Sequence, residues 1–353
     1  MNNIPEKIIR VLVVDDSAYI RKVMRQMLDR SPFIEVVGTA INGLDALEKV
    51  DLLDPDVITL DLIMPEMDGV TFLKELMKRK PKPVVVTSIA SENGELAMAA
   101  MDAGALEFVQ KPTALATEKV FEISSELIEK VKNVALAQFI PTQPQKQEEV
   151  SLKIPSIFPG KLAFDIIVIG VSTGGPQALK SIIPLLPSDF PVPVCIVLHM
   201  PEGYTSLYAQ KLNEISAIEV VEAQEGMPLQ PGRVILGQAG HHFAFTGSQS
   251  SGYFVTFPSE PVESIHKPSV NVLFKSAAEF FGSRVLGIIL TGMGNDGQEG
   301  AAWIKAKGGK IFTQDENSCI VYGMPRTVAE AGLSDKVVPL NQILNTIIKE
   351  LML

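Results

Sequence analysis

Two hydrophobic patterns alternate along the first third of the chain. Short runs of β-branched and other apolar residues are each followed by a segment in which apolar residues recur every three or four positions, the spacing of a buried helix face. The apolar runs predict strands at residues 8–14, 33–37, 57–60, 84–87 and 106–109. Five consecutive β-α units are typical of a doubly wound, five-stranded parallel sheet of the flavodoxin-like kind.

The last 190 or so residues repeat this alternation, with predicted strands at 166–169, 194–198, 285–290 and 310–313. Residues 220–257 are rich in Gly, Pro and short apolar alternations, which predicts inserted hairpins. Between the two patterns, Pro, Gln and Glu dominate and no period is visible, as in a semi-extended linker. We therefore predict an α/β domain at 6–133, a linker at 134–160, and a second doubly wound α/β domain with a hairpin region at 161–353.

Charge and hydropathy narrow the classes of protein. The 353 residues carry a formal net charge of -10, and neither half is basic, which argues against a nucleic-acid partner and against a DNA-binding output domain. The apolar runs are shorter than the ~18 residues that a membrane span needs, and the N-terminus lacks a secretory pattern. We expect a cytoplasmic protein without membrane insertion, in which the isolated Cys195 and Cys319 are reduced.

Polar residues follow the predicted strands of the first domain, at positions 15, 16, 61, 87 and 111. The carboxyl ends of parallel strands share one edge, so Asp15, Asp16, Asp61, Thr87 and Lys111 are expected to converge there. Converging carboxylates repel one another, and an all-oxygen cluster of this size suits Mg²⁺. A helix-capping acid would explain Asp15 alone, but it does not account for all five of these polar residues at the strand ends.

This first domain resembles the receiver domain of bacterial response regulators. The likeness rests on the acidic pair, on Asp61 followed by Met64-Pro65-x-Met67-Asp68-Gly69, on Thr87, and on Lys111-Pro112. It implies that Asp61 accepts a phosphoryl group from a histidine kinase. It also implies Mg²⁺ held by Asp16, Asp61 and the Ile63 carbonyl, with Asp15 acting through water, and a switch formed by Thr87, Phe108 and Lys111.

The second domain begins with an apolar strand that ends at a glycine-flanked serine, Ser172. Gly170-Val171-Ser172-Thr173-Gly174 matches the G-x-S-x-G nucleophile elbow, in which a strand-turn-helix exposes the serine hydroxyl. A glycine loop that binds an anion, or a plain turn, remains an alternative from this stretch alone. Neither G-x-G-x-x-G nor the Walker Gly-Lys-Ser/Thr ending is present.

A nucleophilic serine needs a base and a carboxylate that orients the base. His199 ends a buried strand and is the best placed of four histidines; His241 and His242 lie in a loop that could be merely exposed, and His266 precedes Lys267-Pro268. Asp296 follows another strand in a glycine-dense loop, whereas the other acids considered are weaker candidates, Asp315 and Asp189. A turn residue that bonds its own backbone is the alternative for Asp296.

The whole chain is then similar to the chemotaxis protein-glutamate methylesterases, the CheB family. The motifs that carry this resemblance are Gly170-x-Ser172-Thr173-Gly174-Gly175, His199-Met200-Pro201, His266-x-Pro268-Ser269-Val270, Thr291-Gly292-Met293-Gly294-x-Asp296-Gly297 and Ser318-Cys319-x-Val321-x-Gly323-Met324-Pro325. The resemblance implies the triad Ser172, His199 and Asp296, with an oxyanion hole from the backbone N–H groups of Thr173 and Met293. It departs at Asn271, where the family usually has Asp.

The resemblance implies a phosphorylation-activated hydrolase that demethylates glutamate methyl esters on chemoreceptor helices, releases methanol, and allows glutamine deamidation by the same chemistry. No cofactor is expected in the esterase domain. The rival hypothesis is a phospho-dependent binding module whose serine turn only anchors an anion or a partner. We further expect the receiver to restrain the esterase by packing over its active-site edge until Asp61 is phosphorylated.

Overall fold

The computed structural model describes residues 7–88, 90–111, 117–135, 137, 161–258, 264 and 266–352. The chain divides after residue 144 into two compact units. Apart from residues 134, 135 and 137, the predicted linker lies outside the described residues, as does Pro112.

The first unit is built on a five-stranded parallel sheet in its described part. Its strands are β1 (Ile9–Val14), β2 (Ile34–Ala40), β3 (Val57–Asp61), β4 (Val84–Ser88) and β5 (Glu107–Gln110), in the order β2-β1-β3-β4-β5. The helices are α1 (Ala18–Leu28), α2 (Gly43–Leu53), α3 (Gly69–Arg79), α4 (Ala90–Asp102) and α5 (Thr117–Ala135). The central strand β3 is buried throughout, as expected for a parallel sheet covered on both faces. The predicted fold class is confirmed.

Side-chain caps start the first three helices close to the strand ends. Ser17, Asn42 and Asp68 each accept a hydrogen bond from the backbone N–H three residues later. This bond satisfies one of the helix's unpaired N–H groups. The residues at positions 15, 16 and 61 lie at the carboxyl edge of the sheet because they end or directly follow β1 and β3.

The second unit contains, in its described part, a seven-stranded sheet and a separate hairpin. The strands are β6 (Ile166–Val171), β7 (Val194–Leu198), β8 (Glu219–Glu222), β9 (Arg233–Leu236), β10 (Ala244–Ser248), β11 (Gly252–Thr256), β12 (Val285–Ile289), β13 (Lys310–Gln314) and β14 (Lys336–Val338). The helices are α6 (Gly175–Ile182), α7 (Thr205–Glu214), α8 (Val270–Phe281), α9 (Gln298–Ala306), α10 (Met324–Glu330) and α11 (Ile343–Leu351).

All pairings in the large sheet are parallel, in the order β14-β13-β12-β6-β7-β9-β8. From β6 the chain first builds toward β7, and it later returns to place β12 on the other side of β6. The neighbours β6 and β12 therefore form the topological switch point, and ligands of open α/β sheets bind outside the carboxyl ends of strands at such a point.

The glycine-rich region between residues 220 and 257 is only partly a hairpin. Strands β10 and β11 pair antiparallel with the register Ala244↔Thr256, which confirms an inserted hairpin. Strands β8 and β9 instead join the main sheet in parallel. Val234, Ile235 and Leu236 are all buried, but an apolar run this short does not reveal from sequence which partner it will pair with.

Helix α8 closes one face of the sheet near the switch point. Its buried side chains Leu273, Phe274 and Ala277 belong to the same core cluster as residues of β6, β7 and β12. A Cβ added to Gly170 would lie 2.3 Å from Cγ1 of Val270, so the first turn of α8 packs directly on the end of β6. Among the residues described, none of the helices combines the length and the apolar character that crossing a bilayer requires.

Candidate active site and phosphorylation site

Ser172 lies at the end of β6, on a turn held by backbone hydrogen bonds. Its N–H donates to the Thr291 carbonyl at 3.0 Å, and its carbonyl accepts from Gly175 N at 2.6 Å. Gly174 has φ +76°, a conformation that favours glycine, and it is the N-cap of α6. The strand-turn-helix predicted for the elbow is therefore present, with Ser172 half-buried at the switch point.

His199 follows β7, the strand beside β6, and its backbone N–H donates to the Val171 carbonyl at 3.1 Å. Its ring Nε2 lies 2.8 Å from Oδ2 of Asp296. The other ring nitrogen, Nδ1, is buried and has no hydrogen-bond partner in the described part of the chain. A carboxylate bonded to Nε2 keeps the proton of the neutral ring on that atom, so Nδ1 carries the lone pair that can accept a proton.

Asp296 is buried and accepts four hydrogen bonds. Besides His199 on Oδ2, the donors are Val270 N to Oδ2 at 2.8 Å, Ser269 Oγ to Oδ1 at 2.9 Å and Asn271 N to Oδ1 at 2.9 Å. Burial alone would raise the pKa of Asp296. The hydrogen bond and charge of His199, with the backbone N–H groups of Asn271 and Val270, outweigh burial and lower the pKa to about 2.

The segments that carry Thr173 and Met293 are tied together by Thr291. The Thr291 hydroxyl donates to the Thr173 carbonyl at 3.0 Å and accepts from Val321 N at 3.0 Å. The neighbouring Gly292 packs so tightly that an added Cβ would lie 2.8 Å from Cβ of Ser172. The structure thus brings both expected oxyanion donors to the loops beside Ser172.

The remaining candidate residues have other surroundings. The His266 ring stacks on the His199 ring, with centroids 4.0 Å apart and planes at 20°. His241 is exposed and packs on Phe257, but His242 is 4% exposed, which corrects the expectation that both lie in a merely exposed loop. Burial lowers the pKa of His242, and the charge of Lys267 lowers it further.

Neither of the two weaker acid candidates bonds His199 in the described part of the chain. Asp315 accepts hydrogen bonds from the backbone N–H and the hydroxyl of Ser318, so it caps a short 3₁₀ turn. Asp189 is exposed. Sequence reasoning missed Ser269 and Asn271 as partners of Asp296; the signal available was their position in and directly after the His266-x-Pro-Ser-Val motif.

In the first unit, the carboxylates of Asp15, Asp16 and Asp61 offer oxygen atoms that all lie within 4.8 Å of one another. Lys111 Nζ lies 2.8 Å from Oδ2 of Asp15 and 2.6 Å from Oδ2 of Asp61. Burial raises the pKa of Asp61; Lys111 opposes this shift and the charge of Asp15 adds to it. A small all-oxygen donor set whose members repel one another fits Mg²⁺.

Thr87 and Phe108 lie on the strands beside this cluster. Thr87 pairs in register with Asp61 across β3 and β4 and is buried. Phe108 is buried on β5, where Lys130 donates to its carbonyl at 2.7 Å. Ile63 is half-exposed, and its N–H donates to Oδ1 of Asp61 at 3.4 Å. The residues predicted from the strand ends therefore share one edge of this sheet.

Comparisons with known proteins find relatives for both units of the chain. Residues 167–347 match the family model described as CheB methylesterase, and residues 11–119 match the response regulator receiver domain. A Myxococcus xanthus (strain DK1622) protein named protein-glutamate methylesterase/protein-glutamine glutaminase 5 is 48% identical over 95% of this chain and 96% of its own. A Symbiobacterium thermophilum protein named protein-glutamate methylesterase/protein-glutamine glutaminase is 41% identical over 98% of each chain.

A solved structure is similar to the second unit. The crystal structure of the Thermotoga maritima CheB methylesterase catalytic domain aligns with a TM-score of 0.51 and 37% identity, over 53% of this chain and 98% of that one.

Proposed function

The chain belongs to the CheB methylesterase family, and we propose that it is a phosphorylation-activated serine hydrolase that demethylates glutamate methyl esters on chemoreceptors and releases methanol. The observation that carries the mechanism is the His199 ring. Its Nε2 is held by Asp296, while Nδ1 is left without a described partner at the sheet edge where Ser172 lies.

In the proposed reaction, Nδ1 of His199 takes the proton of the Ser172 hydroxyl as Oγ attacks the ester carbonyl. The carbonyl oxygen becomes an oxyanion, for which the N–H groups of Thr173 and Met293 are the proposed donors. Collapse of this intermediate breaks the bond to the methoxy group, which leaves as methanol with the proton from His199. Water, activated by the same nitrogen, then cleaves the glutamyl-enzyme and restores Ser172.

Asp296 stays ionised throughout this cycle. Its pKa of about 2 means that it holds no proton near neutral pH. Its role is therefore to orient the imidazole and to stabilise the imidazolium that forms when Ser172 loses its proton.

The test is methanol release from a methylated receptor, with Ser172→Ala as the variant. We expect loss of turnover by several orders of magnitude with little change in stability, because the serine side chain is small and half-buried. A fluorophosphonate probe should label the wild type and fail to label Ser172→Ala. A folded wild type that neither labels nor releases methanol would favour the binding module over the hydrolase.

Glutamine deamidation is a second candidate activity, and it is supported by the names of the relatives, which include protein-glutamine glutaminase. The same acyl-enzyme forms when ammonia, rather than methanol, is the leaving group. Ammonia release from a receptor that carries glutamine at the modification site is the measurement. It should depend on Ser172, His199 and Asp296 as the methylesterase activity does.

For the first unit we propose Asp61 as the phosphoryl acceptor, with a sensor histidine kinase as donor. Asp16, Asp61 and the Ile63 carbonyl would hold Mg²⁺ directly and Asp15 through water; the ion would supply positive charge to the transferring phosphoryl group. Lys111 and Thr87 are placed to contact the bound phosphoryl group, and Phe108 is the proposed aromatic switch. The Asp61→Asn variant should not become phosphorylated when it is incubated with a phosphodonor.

The proposed arrangement of the chain is a receiver at 6–133, a linker at 134–160 and the esterase at 161–353. Its proposed substrates are the cytoplasmic helices of methylated chemoreceptors. With these substrates and a sensor histidine kinase as phosphodonor, we propose that the protein acts in the cytoplasm. We propose no cofactor for the esterase domain, because every step above is a proton transfer or an acyl transfer that its side chains can perform.

A further inference from the structure

Ser269 occupies the N-cap position of α8 but does not cap that helix. An N-cap serine normally accepts a hydrogen bond from a backbone N–H of the first helical turn. In the described structure the Ser269 side chain makes no such bond, and its hydroxyl instead donates to Oδ1 of Asp296 at 2.9 Å. The side chain is 1% exposed, so water does not compete for this hydroxyl.

Asp296 takes over the capping of α8. Its carboxylate accepts from the N–H groups of Val270 and Asn271, the first two residues of the helix. The N-terminus of a helix carries partial positive charge, which favours the ionised carboxylate. Asp296 is thus bound by a helix that is distant in sequence.

The side chain of Asn271 in turn caps α9, the helix that follows Asp296. Its Oδ1 accepts from Gly297 N and from Gly300 N, both at 2.8 Å, and so caps α9. Gly297 is itself the N-cap of α9 and has no side chain to do this. The two helices therefore cap each other, with Asp296 and Asn271 as the two crossing side chains.

The four bonds on Asp296 are divided evenly between its oxygens. Oδ1 accepts from Ser269 and Asn271, and Oδ2 accepts from His199 and Val270. An ionised carboxylate has about four lone-pair sites, so all of its capacity is used. Rotation of the carboxylate would break several of these bonds together, which holds the oxygen bonded to His199 in place.

We propose that Ser269 and Asn271 are positioning residues that hold Asp296 in the orientation from which it aligns His199. Ser269 acts on the carboxylate itself. Asn271 acts on both sides, because its N–H binds the carboxylate and its side chain holds the backbone at Gly297, the next residue in the chain. This inference rests on the proposed triad, and neither residue touches the reacting atoms.

The test is the rate at which a fluorophosphonate probe labels Ser172 in the full chain. Ser269→Ala should slow labelling about tenfold, the order expected for one lost hydrogen bond to a charged group. In an Asp296→Asn background the same change should alter the rate by less than about twofold, because Ser269 acts only through that carboxylate. Equal slowing in both backgrounds would overturn the proposal.

Ser276→Ala is the matched control on the same helix. Ser276 is also buried, and its hydroxyl accepts from Phe245 N at 2.8 Å, so the change costs one structural hydrogen bond away from Asp296. Labelling should stay within about twofold of the wild type in both backgrounds. If Ser269→Ala is no slower than Ser276→Ala, the hydroxyl does not position Asp296.

Asn271 is tested by rescue. Asn271→Ala removes the acceptor for Gly297 and Gly300 and should slow labelling, whereas Asn271→Asp keeps an oxygen acceptor and should recover most of the rate. Equally slow variants would overturn the capping role. A wild type that does not label at all would instead contradict the proposed hydrolase, so the two failures are distinguishable.

Discussion

At the residue scale, the active-site edge depends on close backbone packing as much as on the reactive side chains. Gly292 lies against Ser172, and Gly170 lies against Val270 at the start of α8. Neither contact leaves space for a Cβ. These glycines let the turn after β6, the loop after β12 and helix α8 approach one another within the range of hydrogen bonds.

Gly292→Ala should therefore impair the site directly. The new Cβ would lie 2.8 Å from Cβ of Ser172 and 2.6 Å from Sδ of Met324. Relief of this overlap must displace the Ser172 turn or the loop that carries Met293, at a cost of about 1–3 kcal/mol of stability. We expect methanol release to fall by about a hundredfold, since misplacement of a reacting group by about 1 Å can cost that much.

Gly282→Ala is the control for this experiment. Gly282 has φ +58° at the far end of α8 and no atom within 4 Å of an added Cβ, so alanine there is strained but does not approach Ser172. It should lower stability by about 1–3 kcal/mol, the cost of holding alanine in this backbone conformation, and leave turnover unchanged. Equal activity in the two variants would contradict the packing argument.

The low pKa of Asp296 predicts a pH-dependent contribution to stability. The folded-state pKa of about 2 lies below the ordinary 3.8, so the unfolded chain binds more protons and stability rises with pH. The contribution is about 2 kcal/mol above pH 5, and about half of it is lost by pH 3. The difference in unfolding free energy between wild type and Asp296→Asn should shrink over this range; a constant difference would contradict the shift.

At the element scale, helices α8 and α9 hold Asp296 at the active site, whereas α11 stabilises the edge of the large sheet. Glu350 on α11 is buried and bonds Lys310 of β13 at 2.6 Å and Lys336 of β14 at 2.5 Å. Both lysines are partly exposed. This cluster fixes the last helix across the edge strand β14 and its neighbour β13. Within the described part of the chain, the hydrogen bonds and ion pairs of Glu350 go to these two lysines and not to the residues proposed for catalysis.

Glu350→Gln should consequently separate stability from activity. The amide keeps the size of the side chain but loses the charge that pairs with two ammonium groups, so we expect a loss of about 1 kcal/mol in unfolding free energy. Methanol release should remain at the wild-type rate. A large fall in turnover without unfolding would show that the sheet edge and the active site are coupled.

At the scale of the whole molecule, a receiver joined to a hydrolase predicts control of one by the other. If the receiver restrains the esterase, deletion of residues 1–150 should raise activity above that of the unphosphorylated full chain. The solved catalytic domain of the Thermotoga maritima relative is a precedent for such a fragment folding alone. A folded fragment no faster than the unphosphorylated whole would show that the receiver acts by activation or recruitment instead.

Activation itself should require Asp61. Acetyl phosphate with Mg²⁺ should raise the rate of methanol release by the wild type. Phosphorylation adds charge beside Lys111, and such a local change can shift the equilibrium between two conformations of the surrounding surface. Asp61→Asn should not respond. Its basal rate serves as the internal control, since this change leaves the esterase residues intact; a response equal to that of the wild type would exclude Asp61 as the acceptor.

The sequence by itself determined the parallel α/β architecture and the strand ends at which polar residues gather. Parallel strands alternate with helices in a pattern that is local in sequence, and their carboxyl ends must share an edge. That geometry was enough to predict that Asp15, Asp61 and Lys111 meet, and that His199 and Asp296 belong together. It did not predict that β8 and β9 extend the main sheet, because pairing partners are chosen by contacts between distant segments.

Only the tertiary structure decided how the carboxylate of Asp296 is held. Which ring nitrogen of His199 it bonds, why the N-cap serine of α8 turns away from its own helix, and how Asn271 caps α9 all depend on the placement of α8 against the end of β6. Hydrogen bonds have a range of about 3 Å and a required direction. Two helices separated along the chain satisfy both conditions only after the core has packed them together.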